Sequence, residues 1–196
     1  MKRLFSLFLL MTVCLAGFSQ REIGLVSFQP KIGFNVSDFT DTPNAKSKIG
    51  FAAGAEIEYQ ITEVISISAG ALYSMQGAKA SGYSNGMRIK ADAKLAYINV
   101  PVMVNAYLTH GLALKFGIQP GFNIQSDLSG TADGISVQTE VDGIKSFDLS
   151  IPVGLSYEFR NFVLDGRYNI GVTSIEKDSD ARHSVFQITL GYRFRI

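Results

Sequence analysis

Bulky apolar residues occupy every second position along most of this sequence, and that period admits few folds. Between 186 and 196, Phe186, Ile188, Leu190, Tyr192, Phe194 and Ile196 alternate with Gln187, Thr189, Gly191, Arg193 and Arg195. Side chains two apart share one face of a strand. The alternation therefore predicts a strand with an apolar face and an arginine-bearing face. It runs to the last residue, where an ordinary chain end frays and little selects its pattern.

The same period recurs throughout. Phe28 to Val36 carry apolar residues at even positions against Gln29, Lys31 and Asn35. Phe51 to Tyr59 set theirs against Glu56 and Glu58. Ile65, Ile67, Ala69, Ala71, Tyr73 and Met75 oppose Ser66, Ser68, Ser74 and Gln76, with Leu72 out of step. Ile98 to Leu108 oppose Asn99 and Asn105, and Leu112 to Ile124 oppose Lys115 and Gln119. Phe147 to Phe159 oppose Asp148 and Glu158, and Phe162 to Val172 oppose Asp165 and Arg167. With the C-terminal run these make eight strands. No window carries a 3.6-residue stripe, so the fold class is all-β.

The connections alternate in length. The stretches 37–48, 77–94, 126–146 and 174–183 are long, whereas "ITE", "THG" and "RN" are short. All long connections therefore fall at one end, which predicts an eight-stranded antiparallel up-and-down β-barrel.

Two barrels fit that pattern: a soluble one with its apolar face inside, and a transmembrane one with its apolar face toward lipid. The polar face decides. It carries Lys31, Glu56, Glu58, Lys115, Asp148, Glu158, Asp165, Arg167 and Arg193, with Arg195 beyond, interspersed with glycine and serine. Small residues and opposite charges suit a lumen only about eight strands round. A lone carboxylate there would cost several kcal/mol, so the charges are expected to pair across it as structural packing. An ion or proton path is the alternative role for them. Apolar runs of seven alternate positions, such as 112–124 and 147–159, exceed the ~9–11 residues needed to cross an outer membrane. Tyr59, Tyr157, Phe159, Phe162, Tyr192 and Phe194 cluster by the short turns or the C-terminus, as an interfacial girdle would.

The first residues agree with export. Lys2 and Arg3 precede an apolar run from Leu4 to Leu15, and Gly17 and Ser19 stand at −3 and −1 from a cleavage site before Gln20. This divides the chain into a signal peptide, 1–19, and an outer-membrane barrel domain, 20–196. Cleavage removes Cys14, leaving no disulfide or thiolate metal site. It also takes two of the 18 basic residues, leaving 16 against 17 acidic ones. That balance offers nothing to nucleic acid.

Four stretches carry a family resemblance: "ALYSMQGAK" at 71–79, "LAYINVPVMVNAYL" at 95–108, "LDGRYNIGVTSI" at 164–175 and "VFQITLGYRF" at 185–194. With Tyr97 and Pro101, and Arg167 to Gly171, they resemble the PorT-like outer-membrane β-barrel family common in Bacteroidota. The resemblance implies fold and location in the cell outer membrane, and it implies little about biochemical role. The aromatic-ended last strand also resembles the signal read by the barrel-assembly machinery, with Phe194 as the aromatic and Arg195 and Ile196 overhanging.

Chemistry is sparse. His110 and His183 are the two histidines, and no converging ligand spacing accompanies them. His183 and Ser184, near Glu176 and Asp180, could be imagined as a lipid-hydrolase triad, but neighbours in a strand point to opposite faces. Asp133, Glu140 and Asp142 match no EF-hand-type calcium loop. Asn85 and Gly86 form a turn signal. No catalytic residue, metal or cofactor is expected. The expected partners are outer-membrane lipid, the assembly machinery during insertion and a protein at the long loops. The leading function is a non-enzymatic integral protein, structural or interacting through its loops. A narrow pore or an accessory of a secretion machine is the alternative, and a lipid-modifying enzyme the weaker one.

Overall fold

Among the described residues the chain closes on itself through strands. The computed structural model describes residues 21–39, 45–84, 87–132, 135–140, 146–174 and 182–196. The proposed signal peptide, Asn85–Gly86, Asp133, Asp142, Glu176 and Asp180 lie outside them. The strands are β1 (Val26–Phe39), β2 (Ala45–Gln60), β3 (Ile65–Ser84), β4 (Met87–Asn99), β5 (Val102–Tyr107) and β6 (Leu112–Ala132). β7 (Ile135–Glu140), β8 (Phe147–Phe159), β9 (Phe162–Ser174), β10 (Arg182–Tyr192) and β11 (Phe194–Arg195) complete the set.

They form eight antiparallel staves. β4 and β5 are one stave broken at Val100–Pro101, and both pair with β3 on one side and β6 on the other. Proline has no ladder donor; at the break Val100 N–H donates to Pro120 O at 2.8 Å, and Gly70 N–H to Pro101 O at 3.1 Å. β10 and β11 are the closing stave. Lys31 pairs with Gly191, Phe39 with His183, and Phe28 with Phe194, so β1 meets the end of the chain and no edge remains along this seam.

The facing is inverted relative to a soluble barrel. Fully buried residues are Lys31, Asn35, Glu56, Ser66, Asp165, Arg167 and Gln187, while Phe116 is 61% exposed, Phe159 63% and Leu190 50%. β8 runs from Phe147 to Phe159 with the apolar residue outward at each alternate position. Twelve steps of about 3.3 Å at a tilt near 40° make a band about 30 Å tall. An apolar belt that continuous is stable only against an apolar medium. At its short-turn end Phe162 and Tyr192 pack edge to face at 5.2 Å, and Tyr192 and Phe194 stand 4.8 Å apart.

Three expectations need correction. The stretch 77–94 is not a loop. β3 and β4 stay in register from Leu72↔Asn99 to Ser84↔Met87, so the fourth stave begins at Met87 rather than Ile98. Likewise β6 runs on to Ala132 and pairs with β7 through most of the connection 126–146. Leu72 is not out of step: it is 1% exposed, and its parity puts it inside the lumen.

Above the belt the ladder β2–β3–β4–β6–β7 continues as a raised sheet, and its hydrophobic phase reverses. By register Lys46, Lys79 and Asp92 lie in one row, and Arg88, Lys90 and Lys94 share the face of β4 that holds Asp92. That face continues the lipid-facing parity of the barrel. Ala78, Ala80, Ile89, Ala91 and Ala93 take the parity that lower down belongs to the lumen.

Candidate functional site

The lumen is organised in tiers, each built by alternate residues of several staves. The central tier joins Lys31 from β1, Glu56 from β2, Lys115 from β6, and Asp165 and Arg167 from β9. Lys31 Nζ lies 2.7 Å from Glu56 Oε2 and 3.2 Å from Asp165 Oδ2. Lys115 Nζ lies 3.3 Å and 2.7 Å from the same two oxygens. Arg167 Nη2 donates to Glu56 Oε1 at 2.7 Å, and its Nε to Asp165 Oδ1 at 2.9 Å. Three cations thus share two carboxylates, all five side chains nearly fully buried, and pairing offsets the desolvation of each charge.

Glycine makes room for these long side chains. Lys31 stands opposite Gly54 and Gly191, Glu56 opposite Gly70, and Lys115 and Arg167 both opposite Gly154. At Gly54 a Cβ would fall 2.1 Å from Ala71 O, so the approach of the two staves itself requires glycine there.

The lower tier, at the short-turn end, centres on Glu58, Glu158 and Arg193. Arg193 Nη2 reaches Glu58 Oε2 at 2.9 Å, and its Nε lies 3.2 Å from Glu158 Oε2. Tyr107 donates its hydroxyl to Glu58, whose Oε1 also accepts from Ser66 Oγ at 2.7 Å. Arg21 completes the tier from outside the strands. Gly24 N–H donates to Gln60 O at 2.9 Å, which lays residues 21–25 across the barrel end. From there Arg21 pairs with Glu158, donates to His110 O at 2.9 Å, and sets its guanidinium 3.8 Å from the Tyr107 ring centre.

Asp148 is brought to neither tier; it lies nearer the raised sheet and accepts from Thr173 Oγ1 at 2.8 Å. Arg195, expected beside the lumen carboxylates, leaves the alternation at the rim. Its side chain is 58% exposed, and Nη2 is 3.6 Å from Glu158 Oε1. Sequence reasoning gave no lumen role to Arg21, Tyr107 or Tyr97, the last named only for its place in the family motif. The two tyrosines carry a signal, since both share the parity of Asn99 and Asn105; Arg21 precedes any alternation. His110 sits in an exposed turn, and Ser184 Oγ hydrogen-bonds the Tyr168 hydroxyl on the outer wall. Among the described residues no three histidine, cysteine or carboxylate groups gather as a metal site.

At the rim, between the 108–111 turn, the end of β8, Arg160, Arg195 and residues 21–25, lies a cleft of about 680 Å³. Arg21, Glu158, Arg160, Arg195 and Tyr157 line it.

The family model described as outer membrane protein beta-barrel domain matches residues 18–177. No curated protein matches the sequence. Among solved structures the chain is similar to Ail, the attachment invasion locus protein of Yersinia pestis, solved in complex with the heparin analogue sucrose octasulfate. The identity is 18% and the TM-score 0.51, over 88% of this chain and 100% of that one. It is also similar to Neisserial surface protein A, with 15% identity and a TM-score of 0.52 over 86% of this chain and 97% of that one.

Proposed function

The chain belongs to the outer membrane protein beta-barrel domain family and lies in the outer membrane, and from that premise we propose that it is a non-enzymatic binding protein. Its working surface is the sheet raised above the apolar belt, and its partner is an external polyanion. The carrying observation is the register of that sheet: Lys46, Lys79, Arg88, Lys90 and Lys94 fall on one face of β2–β4, which on these strands also holds Asp92. On the β6–β7 side Asp127 is the register partner of Lys94, with Glu140 next in the row, so five basic positions face three acidic ones. Clustered cations draw polyanions at rates and affinities that fall with salt. Sucrose octasulfate, the heparin analogue in the Ail complex, is a polyanion of this kind. The Tyr97–Pro101 and Arg167–Gly171 elements support a PorT-like placement within the family, with the short turns and both chain ends on the periplasmic side.

The test is retention of the nanodisc-embedded protein on immobilised heparin, eluted with salt. Replacing Lys79, Arg88, Lys90 and Lys94 by serine should lower the eluting salt concentration well below that of the parent. Equal elution of the two overturns the reading. A second reading, a narrow pore, has one observation in favour: Gln187 Nε2, Asn169 Oδ1 and Thr189 Oγ1 are buried on the lumen wall without a partner, as water-lining groups would be. Single-channel conductance in planar bilayers would establish it, and a silent bilayer would dismiss it.

A further inference from the structure

The rim cleft at the short-turn end gathers more guanidiniums than carboxylates, and nothing in the reading above uses it. Three guanidiniums, Arg21, Arg160 and Arg195, line it against the carboxylates Glu22 and Glu158. Glu158 is already shared by Arg21, Arg193 and Arg195. Arg160 pairs with no carboxylate among the described residues; its guanidinium stands 5.7 Å from the Phe159 ring. The side chain of Arg21 is only 8% exposed, and its Nε is buried without a hydrogen-bond acceptor. Its charge is paired through Nη2, but a buried N–H without an acceptor costs free energy until one arrives.

Arg160 shows a second cost. Phe159 pairs with Phe162, so Arg160 and Asn161 form a two-residue hairpin turn. Arg160 takes φ 58° there, a conformation that glycine adopts freely and an arginine does not. Strain of this kind at a cleft is a reason to look for a ligand.

We propose that this cleft binds the phosphodiester headgroup of an inner-leaflet phospholipid. Guanidinium forks match phosphate oxygens in pairs. The cleft lies at headgroup level, because Tyr157, one of its walls, belongs to the lipid-facing aromatic belt and is 53% exposed. A lipid can therefore reach the guanidiniums without leaving the membrane. Its volume, about 680 Å³, exceeds what a bare phosphate needs and suits a glycerophosphate unit.

The experiment uses the full mature chain refolded in a nonionic maltoside detergent, with dihexanoyl phosphatidylglycerol as probe and binding read by calorimetry. Inorganic phosphate and dihexanoyl glycerol are titrated separately. The lipid should bind saturably, the phosphate-free glyceride should not, and free phosphate should bind at least tenfold more weakly. Arg160→Gly and Arg195→Ala should each weaken the lipid about tenfold, the scale of a lost charge-assisted hydrogen bond. Arg160→Gly relieves the turn, so its melting temperature should hold or rise while binding falls. A merely structural arginine would not split the two readouts. Phosphate binding as tight as the lipid overturns the membrane source, and unsaturable lipid binding or unaffected variants overturn the site.

Discussion

Glu56→Gln and Lys31→Met remove opposite ends of one buried ion pair, and the charge count of the central tier says they should not cost the same. The native tier holds Lys31, Lys115 and Arg167 against Glu56 and Asp165. Replacing Lys31 leaves two cations and two carboxylates. Each carboxylate still has Lys115 and Arg167, at 3.3 and 2.7 Å for Glu56 and at 2.7 and 2.9 Å for Asp165. Replacing Glu56 leaves three cations around Asp165 alone, with Lys31 held only by its 3.2 Å contact. An uncompensated buried charge costs about 3–5 kcal/mol, and that range is expected for Glu56→Gln. Lys31→Met loses charge-assisted hydrogen bonds but relieves surplus positive charge and keeps the volume apolar, for about 1–2 kcal/mol. The double variant restores the native excess of one cation and should recover part of the Glu56→Gln loss, a coupling that neighbours in one network show. Urea unfolding in lipid vesicles, followed by the gel shift between boiled and unboiled protein, gives all three values. Lys31→Met costing as much as Glu56→Gln, or strict additivity in the double variant, would refute the charge accounting.

Leu190 faces outward between Ile32 and Leu164, so Leu190→Arg should cost ~2–4 kcal/mol in vesicle unfolding, whereas Thr189→Ser inside should be nearly silent. A silent Leu190→Arg would reverse the facing. Gly54→Ala puts a methyl 2.1 Å from Ala71 O, and the parting of β2 from β3 should lower the refolded fraction on the same gel; an unchanged yield would mean that the staves have slack. Arg21→Ala removes the pairing with Glu158 and the contact on Tyr107. Amide hydrogen exchange over residues 21–25 should then accelerate while the barrel strands stay protected, and retained protection would show that backbone bonds alone hold the segment.

What the sequence conveyed follows from where side-chain parity is enforced. Within the belt, lipid on one side and a crowded lumen on the other make each position choose, so the staves read directly from alternation. Register settled what alternation left open. Leu72 looked misplaced only because a lumen was expected to be polar, yet Leu72, Leu95, Tyr97 and Met103 are all nearly fully buried, which packing against neighbours permits as readily as charge. Which carboxylate meets which cation depends on stave-to-stave stagger, so Asp148 could not be told from Asp165, nor Arg195 from Arg193.

The raised sheet was misread for a more instructive reason. From Ala78 to Ala93 the residues at lumen parity turn small or apolar, while Lys79, Arg88, Lys90 and Lys94 fall at the parity that faces lipid lower down. A period-two search that fixes the apolar face once sees noise there, and the glycines and alanines look like a loop. The strands themselves run on unbroken in register from Leu72 to Ser84. The reversal of phase therefore marks the level at which the surrounding medium changes. A lysine at that parity would cost ~2–4 kcal/mol at mid-membrane and nearly nothing at the interface or above, so the run of basic positions from Lys94 onward sets the upper limit of the hydrocarbon on this wall. Moving one lysine down the stave measures that limit. Ile98→Lys should destabilise the barrel, whereas Lys94→Ile should change its stability little. A gain in stability from Lys94→Ile would mean that the sheet is raised inside the membrane and that the belt is taller than its β8 wall.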